Sequence, residues 1–376
     1  MVIAVNTRLL QQGKLEGTGW FLYETLQRIT RHHPEHRFIF IFDRPYDPEF
    51  IFSDNITPVV VPPPTRHPLL WHVWFQWQVP RVLRKYRADL FLSPDGYLSL
   101  NTPVKQLAVI HDLNFVHRPQ DLPWLTAWYY NYFFPKFARR ATRIATVSSY
   151  SKEDLVRSYH IDRDKIDVVY NGVNTLYTPT AKEEQLATRK TYTEGKPYFL
   201  YIGSLHPRKN IPGMLRAFDA IRKRTDKDFK LVIAGGEMFK TGSIRKTHKA
   251  MHDPDEVVFT GRLTTEELHQ VLGAAFSLIF VPYFEGFGLP VVEAMRAGVP
   301  VICSNTSSLP EVGGDAVLYV NPFNEKEIAE GMERLADDPE LRYRLIEKGT
   351  IRQQQFSWDQ TAERLWESIR ACVSES

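Results

Sequence analysis

The chain has 376 residues, 43% hydrophobic and 24% charged, with a formal net charge of +3. This composition excludes a disordered or fibrous polypeptide, the length exceeds one ordinary core, and so small a charge argues for no particular polyanionic partner; no nucleic acid is expected. Cysteine occurs only at positions 303 and 372, no Cys/His cluster has zinc-ligand spacing, and no run reaches transmembrane length. The expected setting is the cytoplasm, with any membrane contact peripheral.

The first residues, Met1-Val2-Ile3-Ala4-Val5-Asn6, lack the regions of a signal peptide and read as a first strand. Asn6-Thr7-Arg8 follows, then a loop with Gly13, Gly17 and Gly19, then an amphipathic helix over 20–29. The glycine spacing is not GxGxxG, and Asp43 after the next strand, 38–42, gives little support to a dinucleotide fingerprint. Gly17-Thr18-Gly19 has two readings. It is a phosphate or sugar contact at a helix start, or a loop that needs unusual backbone angles.

A strand over 57–61 is ended by Pro62-Pro63-Pro64. Next, the spacing of Trp71, Trp74 and Trp77 predicts one shared helical face, followed a turn later by Arg81, Arg84, Lys85 and Arg87. That stretch is either a helix packed on a sheet or an aromatic and basic surface directed at a lipid-linked or membrane-proximal acceptor. Strands over 88–93 and 106–110 end in Pro94-Asp95-Gly96 and His111-Asp112. Open α/β sheets place ligands at such strand ends, so His111 is a site candidate; the alternative is a structural hydrogen bond. The aromatic stretch 124–137 reads as a helix apolar nearly all round, and so as buried. A strand over 143–147, a helix over 150–159 capped by Ser148-Ser149 and a strand over 165–170 complete a set of alternating units. That alternation predicts a mainly parallel sheet with helices on both faces.

Asn171-Gly172-Val173-Asn174 breaks the pattern, and the polar segment 178–196 is too poor in apolar residues for a core strand. The expected domains are 1–172 and 173–355, with a C-terminal helix, 356–376, returning to the first. A second alternating set follows, with strands over 198–202, 230–234, 257–259, 276–281 and 299–303. Helices are expected over 215–221, 264–272, 325–335, 339–349 and 358–372. Gly203-Ser204-Leu205-His206-Pro207-Arg208-Lys209-Asn210 presents two adjacent cations after a strand, suited to a diphosphate or else simply solvated. Ala234-Gly235-Gly236-Glu237 is a second glycine turn at a strand end, and the backbone of Gly261-Arg262-Leu263 could line a base pocket.

The most informative stretch is Glu285-Gly286-Phe287-Gly288-Leu289-Pro290-Val291-Val292-Glu293. It reads as a turn between a buried strand and a helix with Pro290 in its first turn. Gly286 and Gly288 let an anion approach the amides of the helix start. Glu285 and Glu293 would repel a phosphate, so hydroxyl groups or a cation are their expected partners; the bland alternative is a turn residue and a solvated helical acid.

These motifs resemble those of the retaining glycosyltransferases of family 4, which have the two-domain GT-B fold. The likeness rests on EGFGLPVVEAMRAGVPVI from Glu285 to Ile302, GSLHPRKN from Gly203 to Asn210, VVYNGV from Val168 to Val173, and His111-Asp112. It implies that Arg208 and Lys209 hold the donor diphosphate and that Glu293 reads the ribose. It further implies that Glu285 meets the transferred sugar, His111 a sugar hydroxyl, and Arg262 and Leu263 the base. Gly286, Phe287, Gly288 and Leu289 belong to the same donor loop, and EGTGW, with Gly17 and Gly19, matches the family's glycine loop more loosely. By the resemblance, attack comes on the face from which the diphosphate departs, with the leaving phosphate helping to deprotonate the acceptor. Asp112 joins His111 and Glu285 as a catalytic candidate, since Asp112 or Glu285 would be the nucleophile of the alternative, a double displacement.

The implied activity is transfer of mannose or glucose from a GDP- or UDP-linked donor to a glycan or lipid-linked acceptor with retention. A GT-B sugar-nucleotide epimerase and a non-catalytic nucleotide-sugar-binding protein are the alternatives. No cofactor or metal is expected, because Asp253-Pro254-Asp255 reads as an exposed turn and the two cations can replace a divalent ion at the diphosphate. Alanine at Arg208 or Lys209 is expected to cut turnover by orders of magnitude while folding is nearly unchanged.

Overall fold

The computed structural model describes residues 1–223, 228–236 and 241–374, and the chain forms two units, Met1–Gly172 with Ser357–Ser376, and Val173–Phe356. In the first unit the strands are β1 (Val2–Asn6), β2 (Arg37–Phe42), β3 (Ile56–Val60), β4 (Leu90–Ser93), β5 (Lys105–Val109), β6 (Arg143–Thr146) and β7 (Ile166–Val168). They form one sheet in the order β3-β2-β1-β4-β5-β6-β7. Every pairing is parallel, with Ile3 opposite both Phe38 and Leu90. Parallel strands covered on both faces must be apolar throughout, and Ile3, Phe38, Phe40, Leu90 and Leu107 are indeed fully buried.

The second unit repeats the plan with β8 (Tyr198–Ile202), β9 (Lys230–Ala234), β10 (Val257–Gly261), β11 (Ser277–Phe280), β12 (Val301–Ser304) and β13 (Leu318–Val320). Its order is β10-β9-β8-β11-β12-β13, again parallel. The short strand β13 has no counterpart in the sequence reading. Three residues, only one of them fully buried, leave too weak a pattern for a periodicity argument.

Both sheets reverse their strand order once, at β1/β4 and at β8/β11, and such a reversal opens a crevice at the strands' C-terminal ends. The loops at those two points carry Asn6, Arg8 and Asp95 in one unit, and Arg208, Lys209 and Glu285 in the other.

Several expectations need correction. Trp71, Trp74 and Trp77 do not share a face: the helix Pro68–Val73 passes into a wider π-turn over Trp74–Gln78 before Val79–Tyr86. The wider turn advances less per residue than an α-helix, so Trp74 is fully buried while Trp77 faces solvent. The helix Trp124–Arg140 is buried on one side only, through Ala127, Tyr129, Phe134, Phe137 and Ala138; its other face is open. Aromatic content alone therefore overstated its burial. Gly17 and Gly19 lie inside the first turn of the helix Gly17–His32 rather than in a loop, and neither has a left-handed backbone. By contrast, the polar segment after Tyr177 keeps its reading as too polar for a core strand: it forms a helix, Lys182–Thr193, within the second unit, its Arg189 donating to the carbonyl of Ala274.

The last helix, Trp358–Ser374, belongs to the first unit. Trp358 packs edge-on to Phe21, Arg28 pairs with Asp359, and Trp366 stacks on His33 at 3.8 Å between ring centres. Its start also fixes Gly172, where a Cβ would fall 2.2 Å from the backbone nitrogen of Trp358.

Candidate active site

In the second unit, three loops are tied edge to edge by backbone hydrogen bonds. Gly203 N–H donates to Ala234, Leu205 to Gly236, and Gly235 to Gly261. The approach is close enough to require glycine: at Gly235 a Cβ would sit 1.9 Å from the Gly203 carbonyl oxygen. Gly235→Ala is therefore expected to destabilise the unit by about 3 kcal/mol or more, read as a lowered midpoint in urea unfolding. Glu237, assigned to this glycine turn from sequence, lies outside the described residues.

The cations come from the turn Pro207–Lys209, which His206 caps by accepting from the Arg208 N–H through Nδ1 at 3.2 Å. Asn210 ends the turn with a left-handed backbone, its Nδ2 donating to the carbonyls of Val281 and Pro322. The turn is thus anchored to the segment after β11, and Tyr283 N–H donates to the Arg208 carbonyl at 2.8 Å.

That segment carries Glu285, and here the structure departs from the sequence reading. Arg208 Nη1 lies 2.7 Å from Glu285 Oε1, and Lys209 Nζ bonds the same oxygen. Arg208 also donates to the Phe284 carbonyl. Burial alone would raise the Glu285 carboxyl, but the two adjacent cations outweigh it and hold the group below its ordinary value. Glu285 and Lys209 have less than a tenth of their surface exposed. This is a triad of one buried anion, one buried cation and the half-buried Arg208, not a pair of solvated loop charges beside a separate acid.

The Glu285–Leu289 loop is clasped from behind by residues that sequence reasoning missed. Ser307 Oγ accepts from the Glu285 N–H, and Ser308 Oγ is within bonding distance of the carbonyls of both Glu285 and Phe287. Ordinary serines in a loop give no signal without a three-dimensional neighbour. Gly286 and Gly288 are buried, and Gly288 starts the helix Leu289–Arg296 with φ 105° while a Cβ there would meet Leu309 at 2.5 Å. Phe287 points inward, 3% exposed and edge-on to Phe356, so any contact it offers a ligand is through its backbone.

Glu293 sits one turn into this helix and is half-buried, which pushes its carboxyl up to about 7. Among the described residues no cation holds it down, in contrast to Glu285. Arg262 is exposed and Leu263 half-buried just beyond β10, beside the left-handed Gly261.

The first unit carries its own polar cluster at the ends of β1 and β4. Asn6 Nδ2 donates to Asp95 Oδ1 at 2.8 Å, and Arg8 Nε to Asp95 Oδ2 at 2.7 Å. Arg8 also lies 4.6 Å from the Tyr97 ring centre. Burial disfavours its charge, yet the Asp95 carboxylate prevails and keeps it protonated. Arg8 and Asp95 were visible as strand-end residues, but only the adjacency of β1 and β4 pairs them.

His111 follows β5. Its Nε2 lies 2.9 Å from the Pro94 carbonyl, an acceptor only, so Nε2 carries the hydrogen and Nδ1 keeps its lone pair. Burial lowers its titration, leaving the ring neutral at pH 7. Phe21, from the helix that Gly17 and Gly19 begin, meets the ring edge-on at 5.1 Å. Asp112 is engaged locally: its Oδ1 accepts from Asn114 N–H and Nδ2, as a turn cap does.

Two family models match this chain, Glycosyltransferase Family 4 over residues 15–177 and Glycosyl transferases group 1 over residues 183–352. This chain is a GT-B glycosyltransferase of family 4. As an enzyme of this class it uses a nucleoside-diphosphate sugar as co-substrate.

Among its relatives, the glycosyltransferase is 29% identical to the O-antigen chain mannosyltransferase B of Escherichia coli over 278 residues, 74% of this chain and 73% of that protein. It is 27% identical to the O-antigen chain mannosyltransferase RfbU of Salmonella typhimurium over 259 residues, 69% and 68% of the two chains. The sucrose-phosphate synthase of Thermosynechococcus elongatus superposes with a TM-score of 0.79 at 19% identity, covering 100% of both chains. Anabaena HepE with UDP-glucose gives 0.76 at 16% identity, covering 99% of this chain and 100% of that one.

Among the described residues of the glycosyltransferase, no group of three or more His, Cys, Asp or Glu is placed to hold a metal ion, and no helix is long and apolar enough to cross a membrane.

Proposed function

We propose that this glycosyltransferase moves a hexose, mannose in the first instance, from a GDP- or UDP-linked donor to a glycan or lipid-linked acceptor, with retention and without a metal. The observation that carries the reading is the ion-paired triad of Arg208, Lys209 and Glu285 at the β8/β11 switch point. The mannosyltransferase relatives, matched over two thirds of each chain, support the choice of sugar. In this reading the second unit takes the donor and the first unit the acceptor. The enzyme works in the cytoplasm, to which its two buried cysteines, neither of them in a disulfide, are suited.

Breaking the bond from the anomeric carbon to the diphosphate develops negative charge on the leaving oxygens. Arg208 and Lys209 are pre-placed to stabilise it, helped by the amides of Gly286 and Gly288 at the helix start. The single negative charge of Glu285 does not neutralise both cations, so the triad keeps one net positive charge for the phosphates. Glu285 in turn stays ionised and can accept from hydroxyls of the transferred sugar. Glu293 accepts from the ribose hydroxyls, and Arg262 and Leu263 flank the base. His111 offers a neutral Nδ1 as acceptor for a sugar hydroxyl, while the helix start at Gly17 and Gly19 offers amides to the donor or sugar. With Asp112 committed to its turn, attack on the face from which the diphosphate leaves is favoured over a double displacement through that residue.

A thermal-shift screen of GDP, UDP and their hexose conjugates tests the donor, since a ligand of the native state raises stability with its affinity. GDP-mannose is expected to give the largest shift, and nucleoside diphosphate release should require an acceptor and continue in EDTA. Conversion of the sugar nucleotide without acceptor would make the chain an epimerase, and metal-reversible inhibition would overturn the metal-free reading.

A further inference from the structure

The face of the helix Trp124–Arg140 that points away from the core has no role in glycosyl transfer as derived above. Trp124, Trp128 and Tyr132 recur every fourth residue and are 80%, 53% and 49% exposed. The rings of Trp128 and Tyr132 lie nearly parallel at 5.5 Å, and Lys136 Nζ lies 3.5 Å from the Tyr132 ring centre. The neighbouring helix Pro68–Val73 packs alongside, Trp71 stacking on Tyr130, and adds Leu69, 68% exposed. A ridge of large, open aromatic side chains is unusual on a surface that meets only water.

The two segments that carry the ridge and its neighbour have charge of one sign. From Arg66 to Arg87 and from Leu122 to Arg143 there is no aspartate or glutamate, while both segments carry several Arg and Lys. Tryptophan and tyrosine favour the boundary between water and acyl chains, where an apolar body and a polar tip are both satisfied, and basic residues beside them are drawn to anionic headgroups. A contact with a second copy of the chain would bring these bases against one another.

We propose that the Trp124–Trp128–Tyr132 ridge, flanked by Lys136 and Arg139, docks this enzyme on an anionic membrane surface. The ridge enters the headgroup boundary and the bases hold phosphate. The surface differs from the one suggested by the spacing of Trp71, Trp74 and Trp77, of which only Trp77 is strongly exposed. It is independent of the donor reading.

The test is co-sedimentation of the full chain with phosphatidylcholine vesicles containing about one third phosphatidylglycerol, against phosphatidylcholine alone. Binding is expected to the anionic vesicles only and to weaken with salt. The pair Trp124→Ala and Trp128→Ala should lower partitioning at least about tenfold, and Lys136→Gln with Arg139→Gln about 25-fold, from roughly fivefold per charge. Both pairs should leave thermal unfolding nearly unchanged, because Trp124, Trp128 and Arg139 are exposed and Lys136 is half-buried against the ridge itself. Equal binding to neutral vesicles, or no loss in the aromatic variant, would overturn the proposal, as would a concentration-dependent dimer that the aromatic variant abolishes without any vesicle binding. Vesicle binding is read without donor or turnover, so its failure is distinguishable from failure of the transferase reading.

Discussion

Lys209→Ala is expected to lower turnover by about 10²–10³-fold, the usual effect of removing one pre-placed group that stabilises developing charge. It is also expected to lower the unfolding free energy by about 3 kcal/mol, because it leaves the Glu285 carboxylate buried with one cation instead of two. From sequence alone the folding effect appeared negligible, since both bases read as loop residues. The buried ion pair changes that expectation. The double variant Lys209→Met with Glu285→Gln separates the two effects: it should regain most of the stability in urea unfolding and none of the activity. A single variant with the wild-type midpoint would mean that the triad contributes nothing to the fold. Glu285 is held below its ordinary 4.5, so its contribution is present above that pH and is lost as pH falls through the lowered value.

Glu293→Gln should act in the opposite direction on stability. Glu293 titrates near 7 in the folded chain against an ordinary 4.5, so the fold favours its protonated form, and stability declines as pH rises from 4.5 to 7 and is level above. That shift caps the cost of ionisation at about 3 kcal/mol, and partial exposure of the side chain reduces it to about 1–2 kcal/mol. At pH 8 the glutamine variant is therefore expected to unfold at higher denaturant than the wild type, while at pH 4 the two should match. Donor binding should show the cost of that gain. If the ionised carboxylate accepts from ribose hydroxyls, donor KM in the wild type should rise about tenfold per unit as pH falls below 7, and the variant should bind weakly at every pH. A wild-type KM flat between pH 6 and 8 would remove Glu293 from the ribose. A residue that destabilises its own fold when charged is what a binding site requires if the charge is used only when a ligand is present.

The sequence by itself determined the alternating β and α plan, the parallel sheets and the strand-end positions of the polar motifs. These depend on local patterns: buried parallel strands are short runs of apolar residues, and glycine and proline mark the turns between them. It also supplied the residue types at the candidate site, because a turn with Gly286, Gly288 and flanking acids has few physical uses. The tertiary structure alone decided which of those residues meet. Arg208 and Lys209 reach Glu285 because β8 and β11 are neighbours, a pairing of strands far apart in the chain that no local pattern encodes. The same holds for Arg8 with Asp95 across β1 and β4. Ser307 and Ser308, which clasp the donor loop, were silent in the sequence for the same reason. Burial of individual side chains was equally undecided: Trp77 faces solvent because a π-turn rotates it off the helix face, and one side of the Trp124–Arg140 helix stays open because none of the described elements covers it. Periodicity fixes which residues share a face of an ideal helix; only packing decides what that face meets.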